Sequence, residues 1–248
     1  MTVEVPAFIV ISGGAVGAGY ARQLLRACDA GRLATDEIVV VDRDPRCAAR
    51  ALTDPRLHFA VADWAEWLDG QLDDRRAGDH VVPYHWAPHL FSDWLVGQVR
   101  QRGGGAARAG SVPEQGVPFE RETSAGDRAL SYATWTCPPT CIEPALCPHT
   151  RGPKDWSLAD HLARPREDQA FAERIVVFRC LHLVWGVGTV PVRDLLAARD
   201  LLCAGLAQGP RRYLVATASH CHGLAAALEV SPEGAGLPPA AGRARGPA

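Results

Sequence analysis

Lysine is nearly absent from this chain: of 26 basic residues, Lys154 is the sole lysine and the other 25 are arginine. With abundant Ala, Gly and Pro, this reads as codon usage in a GC-rich genome and carries no functional meaning. A charge excess of either sign is also missing. The 28 acidic residues leave a net charge of -2, which excludes broad electrostatic attraction to nucleic acid or to an anionic membrane. A long apolar run is missing too. A membrane-crossing helix needs about 18 or more such residues, and the best candidate, 175–190, is broken by Arg179 and His182. The segment before the apolar run 7–11 has no basic region of the kind that opens a signal peptide. These absences predict a cytoplasmic protein, in which the eight cysteines are thiols or metal ligands rather than structural disulfides.

The 47% of apolar residues are enough for a sizeable core. They first fall into an alternating rhythm. Residues 8–11 and 38–41 are short β-branched runs of the buried-strand kind, 57–62 is a weaker strand, and 80–84 is a fourth. Helices are expected at 16–30, at 63–72 (with Trp64, Trp67 and Leu68 on one face) and at 88–100, opened by Pro88. Strands alternating with helices predict a doubly wound, mostly parallel α/β sheet. Residues 101–110 then read as a flexible Gly/Arg/Ala linker, and 110–169 as an irregular insertion rich in Pro, Gly and charge. The rhythm resumes with strands at 174–178 and 212–217 and helices at 191–207 and 223–228. The expected organisation is a nucleotide-binding half over 1–100, a linker and Cys-rich insertion over 101–170, the rest of the same sheet over 171–230, and a disordered tail over 231–248.

The turn after the first strand carries the first chemistry. Ile11-Ser-Gly-Gly-Ala-Val-Gly-Ala-Gly19 aligns with G-x-G-x-x-G as Ser12-x-Gly14-x-x-Gly17. Glycine at 14 lets backbone approach a pyrophosphate, and glycine at 17 lets helix and strand pack closely. The helix that follows offers free N–H groups to phosphate. Ser12 fits the first slot if its backbone angles are ordinary. Asp42 ends the second strand, 25 residues after Gly17, where a carboxylate can bond ribose hydroxyls and repel a 2′-phosphate. Its neighbour Arg43 leaves NADP open.

Over roughly 7–100 the chain resembles the Rossmann-type NAD(P)-binding superfamily, which includes dehydrogenases and the nucleotide-sensing domains of potassium-uptake regulators. The resemblance implies a nucleotide held by Ser12, Gly13, Gly14, Val16, Gly17, Asp42 and Arg43, with NAD favoured over NADP. S-adenosylmethionine-dependent methyltransferases share this layout, with Asp63 then facing the adenine. They usually carry an acid just before the glycine turn, where this chain has Ile9-Val-Ile-Ser12.

Cysteine and histidine cluster further on. Cys137, Cys141, Cys147 and His149 lie within thirteen residues stiffened by proline. Cys₃His is a common zinc set, but the C-x₃-C-x₅-C spacing matches neither the usual zinc element nor a ferredoxin run, so zinc and an iron–sulfur cluster both stay open. Three strands also deliver His or Cys at their carboxyl ends: His85 and His89, then Cys180 and His182, then His220, Cys221 and His222. Ligands bind beyond that edge of a parallel sheet. Cys180, His182 and Cys221 could complete a metal site, and His85, His220 and His222 could act as proton donors or ligands. Cys28 and Cys203 read as small core residues. The expected function is an NAD(P)-dependent, oxidoreductase-like protein acting on a small molecule. The alternatives are a nucleotide-binding regulator without turnover and a methyltransferase. Neither nucleic acid nor membrane is an expected partner, and a homo-oligomer remains open.

Overall fold

The computed structural model describes residues 2–84, 87, 89–135, 137, 141–164 and 171–232. The protein is a mixed α/β fold with two six-stranded sheets. The first sheet begins with β1 (Ala7–Ile11), whose five residues are all buried, followed by α1 (Ala15–Asp29). Next come β2 (Glu37–Asp42), β3 (Leu57–Val61), α2 (Trp64–Gln71), β4 (His80–Val82) and α3 (Leu90–Gln101). The four strands are parallel in the order β3-β2-β1-β4, with Ile9 opposite both Val39 and Val81.

The next strands belong to the second sheet: β5 (Gly105–Arg108), β6 (Phe119–Glu122) and β7 (Arg128–Ser131). After α4 (Leu158–Ala163) comes β8 (Arg174–Arg179), also in that sheet. The chain then crosses back through Cys180 to β9 (Leu181–Val184) and β10 (Val187–Pro191), which extend the first sheet beside β4 with antiparallel pairing. α5 (Val192–Gly205) leads to β11 (Arg211–Ala218) and β12 (His222–Ser231). The second sheet runs β8-β11-β12-β7-β6, and β5 also pairs with β12; only β8 and β11 are parallel.

Alternation along the strands builds the layers. Phe8 and Val10 face α1, whereas Ile9 and Ile11 face the layer of α2, α3 and α5. That same helical layer meets the second sheet through Phe178, Tyr213, Val215, Leu228 and Val230. Leu214, Ala216 and Ala218 point the other way, against Leu158 and Leu162 of α4. The sequence therefore misjudges one matter of scale: residues 171–230 do not complete a single parallel sheet but divide between two. The stretch 101–110 is not a free linker, because β5 pairs along β12. The predicted helix at 223–228 is strand, since β12 hydrogen-bonds on both edges and that outweighs the helix propensity of its alanines. The expected tail begins at 231, and its residues from 233 on lie outside those described. Among the described residues no helix is long and apolar enough to cross a membrane.

Candidate functional site

Two regions carry candidate chemistry. The first is the turn between β1 and α1. Ser12 stands at φ +76°, in the left-handed region, so its backbone is not the ordinary conformation its presence in a glycine slot requires. A Cβ on Gly17 would run into the Ser12 carbonyl, and one on Gly13 into the Cys47 sulfur. At Gly14 the only atom near such a Cβ is Ser12 Oγ, 3.5 Å away, so this face of the turn is open. Gly14 is the N-cap of α1 and gives no side-chain cap, and the first turn has no acidic residue. The N–H groups of that turn, Val16 included, thus have no side-chain acceptor at the cap.

Asp42 closes the turn from the neighbouring strand. Its Oδ2 accepts the Gly13 N–H at 2.6 Å, and its Oδ1 accepts the Asp44 N–H at 2.9 Å. A carboxylate has about four lone-pair sites, so acceptor capacity remains. Arg43 pairs with Asp63, and Asp63 caps α2 by accepting the N–H groups of Ala65 and Glu66. Neither side chain is therefore idle.

The second region lies where β8 and β11 end and β9 begins. The Cys-rich loop docks there through Glu143. Its Oε1 accepts the His220 backbone N–H at 2.8 Å, and its Oε2 lies 4.0 Å from His182 Nδ1. The Cys141 carbonyl accepts from His182 Nδ1 at 2.6 Å. A Cβ on Gly188 would sit 2.9 Å from His182 Nε2, so glycine there makes room for the ring. Glu143, Arg179, Cys180, His182, Ser219 and His220 line a cavity of about 140 Å³, at whose edge Arg179 pairs with Asp160.

Burial lowers the pKa of both His220 and His222, so both imidazoles are neutral near pH 7. Ser131 Oγ donates to the Ala133 carbonyl at 2.7 Å, so at 2.9 Å it can only accept from His222 Nδ1. His222 Nε2 is then a bare lone pair. Among the described residues, the Nε2 atoms of His220 and His222 are buried without a hydrogen-bond partner. Burial, and then Glu143, raises the pKa of Cys180 and keeps its thiol protonated. Burial raises the pKa of Tyr20 in α1, and Cys180 adds to it.

The loop sulfurs have their own surroundings. The backbone N–H groups of Thr150 and His149 hold the pKa of Cys147 down, against its burial. Burial raises Cys137, helped by the nearby thiols of Cys221, Cys141 and Cys147. Trp156 Nε1 donates to Cys221 Sγ at 3.4 Å. The His149 ring lies flat on Trp135, with centroids 4.4 Å apart and planes 11° apart. Among the described residues no three His, Cys, Asp or Glu side chains stand close enough, as placed, to hold a metal ion. All eight cysteines are free. His85 lies outside the described residues, and His89 precedes α3 without capping it.

Of the strand-end residues singled out from the sequence, Cys180, His182 and His220 line one cavity, while Cys221 faces Trp156. The sequence gives no role to Glu143, which joins them to the loop; its position between Cys141 and Cys147 was the available signal. Ser131, which sets the His222 tautomer, leaves no signal at all.

A family model described as "Uncharacterized protein, C-terminal domain" matches residues 91–231, more than half of the chain. The match covers the entire second sheet and the strand-end cavity, and leaves out the glycine turn. No curated protein and no solved structure matches.

Proposed function

The chain belongs to the AF_1314_C family, and from that footing we propose that it joins this family's domain to a Rossmann-type unit that binds NAD and works as an oxidoreductase on a small molecule. The observation that carries the reading is the parallel order β3-β2-β1-β4 with a glycine turn where β1 meets α1. This is the strand order of a mononucleotide-binding half, with the ligand crevice at the carboxyl end of its central strands.

The residues suit the cofactor. Gly14 leaves space for a pyrophosphate, Gly17 holds α1 against the turn, and the uncapped first turn of α1 offers donors to phosphate. Asp42 retains lone pairs for ribose hydroxyls, and the Arg43–Asp63 pair favours NAD over NADP. Asp63 is tied up as a cap and in that pair, which weighs against the methyltransferase layout. NAD supplies a hydride acceptor or donor when bound. The protein's part would be to place a substrate in the strand-end cavity, where neutral His220 and Arg179 can orient a polar group, and to keep Cys180 protonated.

Calorimetry with the full chain tests this. NAD should bind more tightly than NADP and than S-adenosylmethionine. Gly14→Val should abolish binding, because its side chain fills the space a pyrophosphate needs. Asp42→Ala should weaken NAD by about ten- to a hundredfold, the worth of a hydrogen bond to a charged group, and narrow its lead over NADP. Adenosylmethionine as the one ligand would overturn the proposal. NAD binding without nicotinamide absorbance change across a panel of carbonyl substrates would favour the nucleotide-binding regulator instead.

A further inference from the structure

We propose that a cavity of about 320 Å³ beside α4 binds a small planar cation that carries N–H donors: an amidinium, a guanidinium or a protonated amino-heterocycle. Among the described residues its walls are Tyr132, Asp155, Trp156, Ser157, His161 and Arg164. It lies on the face of the second sheet turned away from the shared helical layer, within the family-matched residues. It uses no residue of the nucleotide turn, and shares only Ser157 with the strand-end cavity.

Hydrogen bonding decides which ligand fits. His161 Nε2 lies 2.8 Å from the Gln115 carbonyl, which can only accept, so Nε2 carries the proton. Nδ1 of the neutral ring is then an acceptor, and the Tyr132 hydroxyl donates to it at 3.1 Å. That spends the phenol's single proton, and its oxygen can meet a ligand only by accepting. Trp156 has likewise given its indole N–H to Cys221 at 3.4 Å, which leaves the cavity its ring face. The Tyr132 and Trp156 rings lie 18° from parallel, with centroids 6.2 Å apart, and form one aromatic wall. His161 stands edge-on to Tyr132, with centroids 6.0 Å apart, and fixes that ring in place.

Asp155 supplies the charge. It is exposed at the cavity and has neither ion pair nor hydrogen bond among the described residues. An unspent carboxylate, an accept-only phenol oxygen and the negative faces of two rings all attract a cation with N–H groups, and a flat one gains most from the rings. The donors in the lining are the Ser157 hydroxyl, which accepts the Asp160 N–H at 3.3 Å and keeps its own proton, and Arg164. These two residues bracket α4. Arg164 thus follows the far end of the helix, about 9 Å along its axis from the Asp155 end, and leaves that carboxylate free. The space suffices, since benzene fills a cavity of about 150 Å³.

The test is calorimetry on the full chain with three probes of nearly one shape: benzamidine (a planar cation), benzamide (neutral) and benzoate (an anion). Benzamidine should bind with a Kd below about 1 mM, and at least about tenfold more tightly than either of the others. Asp155→Asn, at an exposed position, should weaken benzamidine by at least about tenfold and leave benzamide unchanged. The comparison of probes uses wild-type protein, so it stands whether or not a variant folds. Benzoate bound as tightly as benzamidine, benzamidine unbound at millimolar concentration, or equal benzamidine affinity in Asp155→Asn overturns the proposal. The titrations contain no nucleotide, so failure here and failure of the NAD reading are separate results.

Discussion

Ser12 pays for its place in the glycine turn with its backbone. At φ +76° a side chain crowds the following carbonyl, at about 1–2 kcal/mol. The hydroxyl returns little, since its contacts with Asp42 and Gly14 are long at 3.4 and 3.3 Å. Ser12→Gly removes the strain but frees the unfolded chain, which offsets about 0.5–1 kcal/mol. The variant should therefore be more stable by about 0.5–1 kcal/mol, read by urea denaturation, with NAD affinity unreduced. A less stable variant would mean that the serine hydroxyl matters more than its geometry suggests. The same residue marks a boundary of sequence reading. That this slot wants glycine is plain from the motif, but the angle that serine adopts there depends on the close approach of Gly17, which no spacing reveals.

At the scale of elements, β4 and β10 make the seam where the parallel part of the first sheet turns antiparallel. His80 of β4 is buried, and its Nδ1 lies 2.9 Å from Thr189 Oγ1 of β10. Thr189 donates to the Leu181 carbonyl, so His80 is the donor in that pair. Burial lowers its pKa to about 4. An unfolded histidine titrates near 6.5. The stability this neutral imidazole gives is complete above about pH 6.5 and is lost as pH falls towards 4, because the unfolded chain takes up the proton first. The loss is on the order of 3 kcal/mol. Denaturation of wild type and His80→Asn across that window should show the smaller pH slope in the variant, which keeps a donor for Thr189 but cannot titrate. Equal slopes would remove His80 from the account.

Elements with their own local pattern were readable: β1 to β4 and α1 to α3 lie within a few residues of where periodicity puts them. The elements that were missed depend on partners far along the chain. β5 sits in a Gly/Ala/Arg segment that becomes strand only because β12 offers it an edge, and β12 spells Ala-Ala-Ala in the middle of a two-edged pairing. The site divides in the same way. Strand-end histidines and cysteines could be placed from sequence, whereas the stacking of His149 on Trp135 and the Trp156 bond to Cys221 depend on how the loop folds back.

For the whole molecule, the layer of α2, α3 and α5 serves both sheets at once. Phe91 of α3 meets Phe178 of β8 edge-on, with ring centroids 5.4 Å apart, and both rings are fully buried. The two sheets therefore share this central core, although each also packs a second face of its own, against α1 or α4. Phe178→Ala should cost about 3–5 kcal/mol. Urea unfolding followed by tryptophan fluorescence and by far-ultraviolet circular dichroism should still give one coincident transition. Two separated transitions would mean that the family-matched half unfolds independently of the glycine-turn half.

The single-residue passage at Cys180 has a kinematic consequence. β8 ends in one sheet at Arg179 and β9 begins in the other at Leu181, so the chain crosses between layers with no slack. Two backbone dihedrals are all the freedom the joint has. A loop would let the layers slide past each other; this joint permits only rotation about itself. A displacement of β9 along its axis is therefore passed straight to the end of β8, so the cavity walls on either side of Cys180 are coupled through one residue.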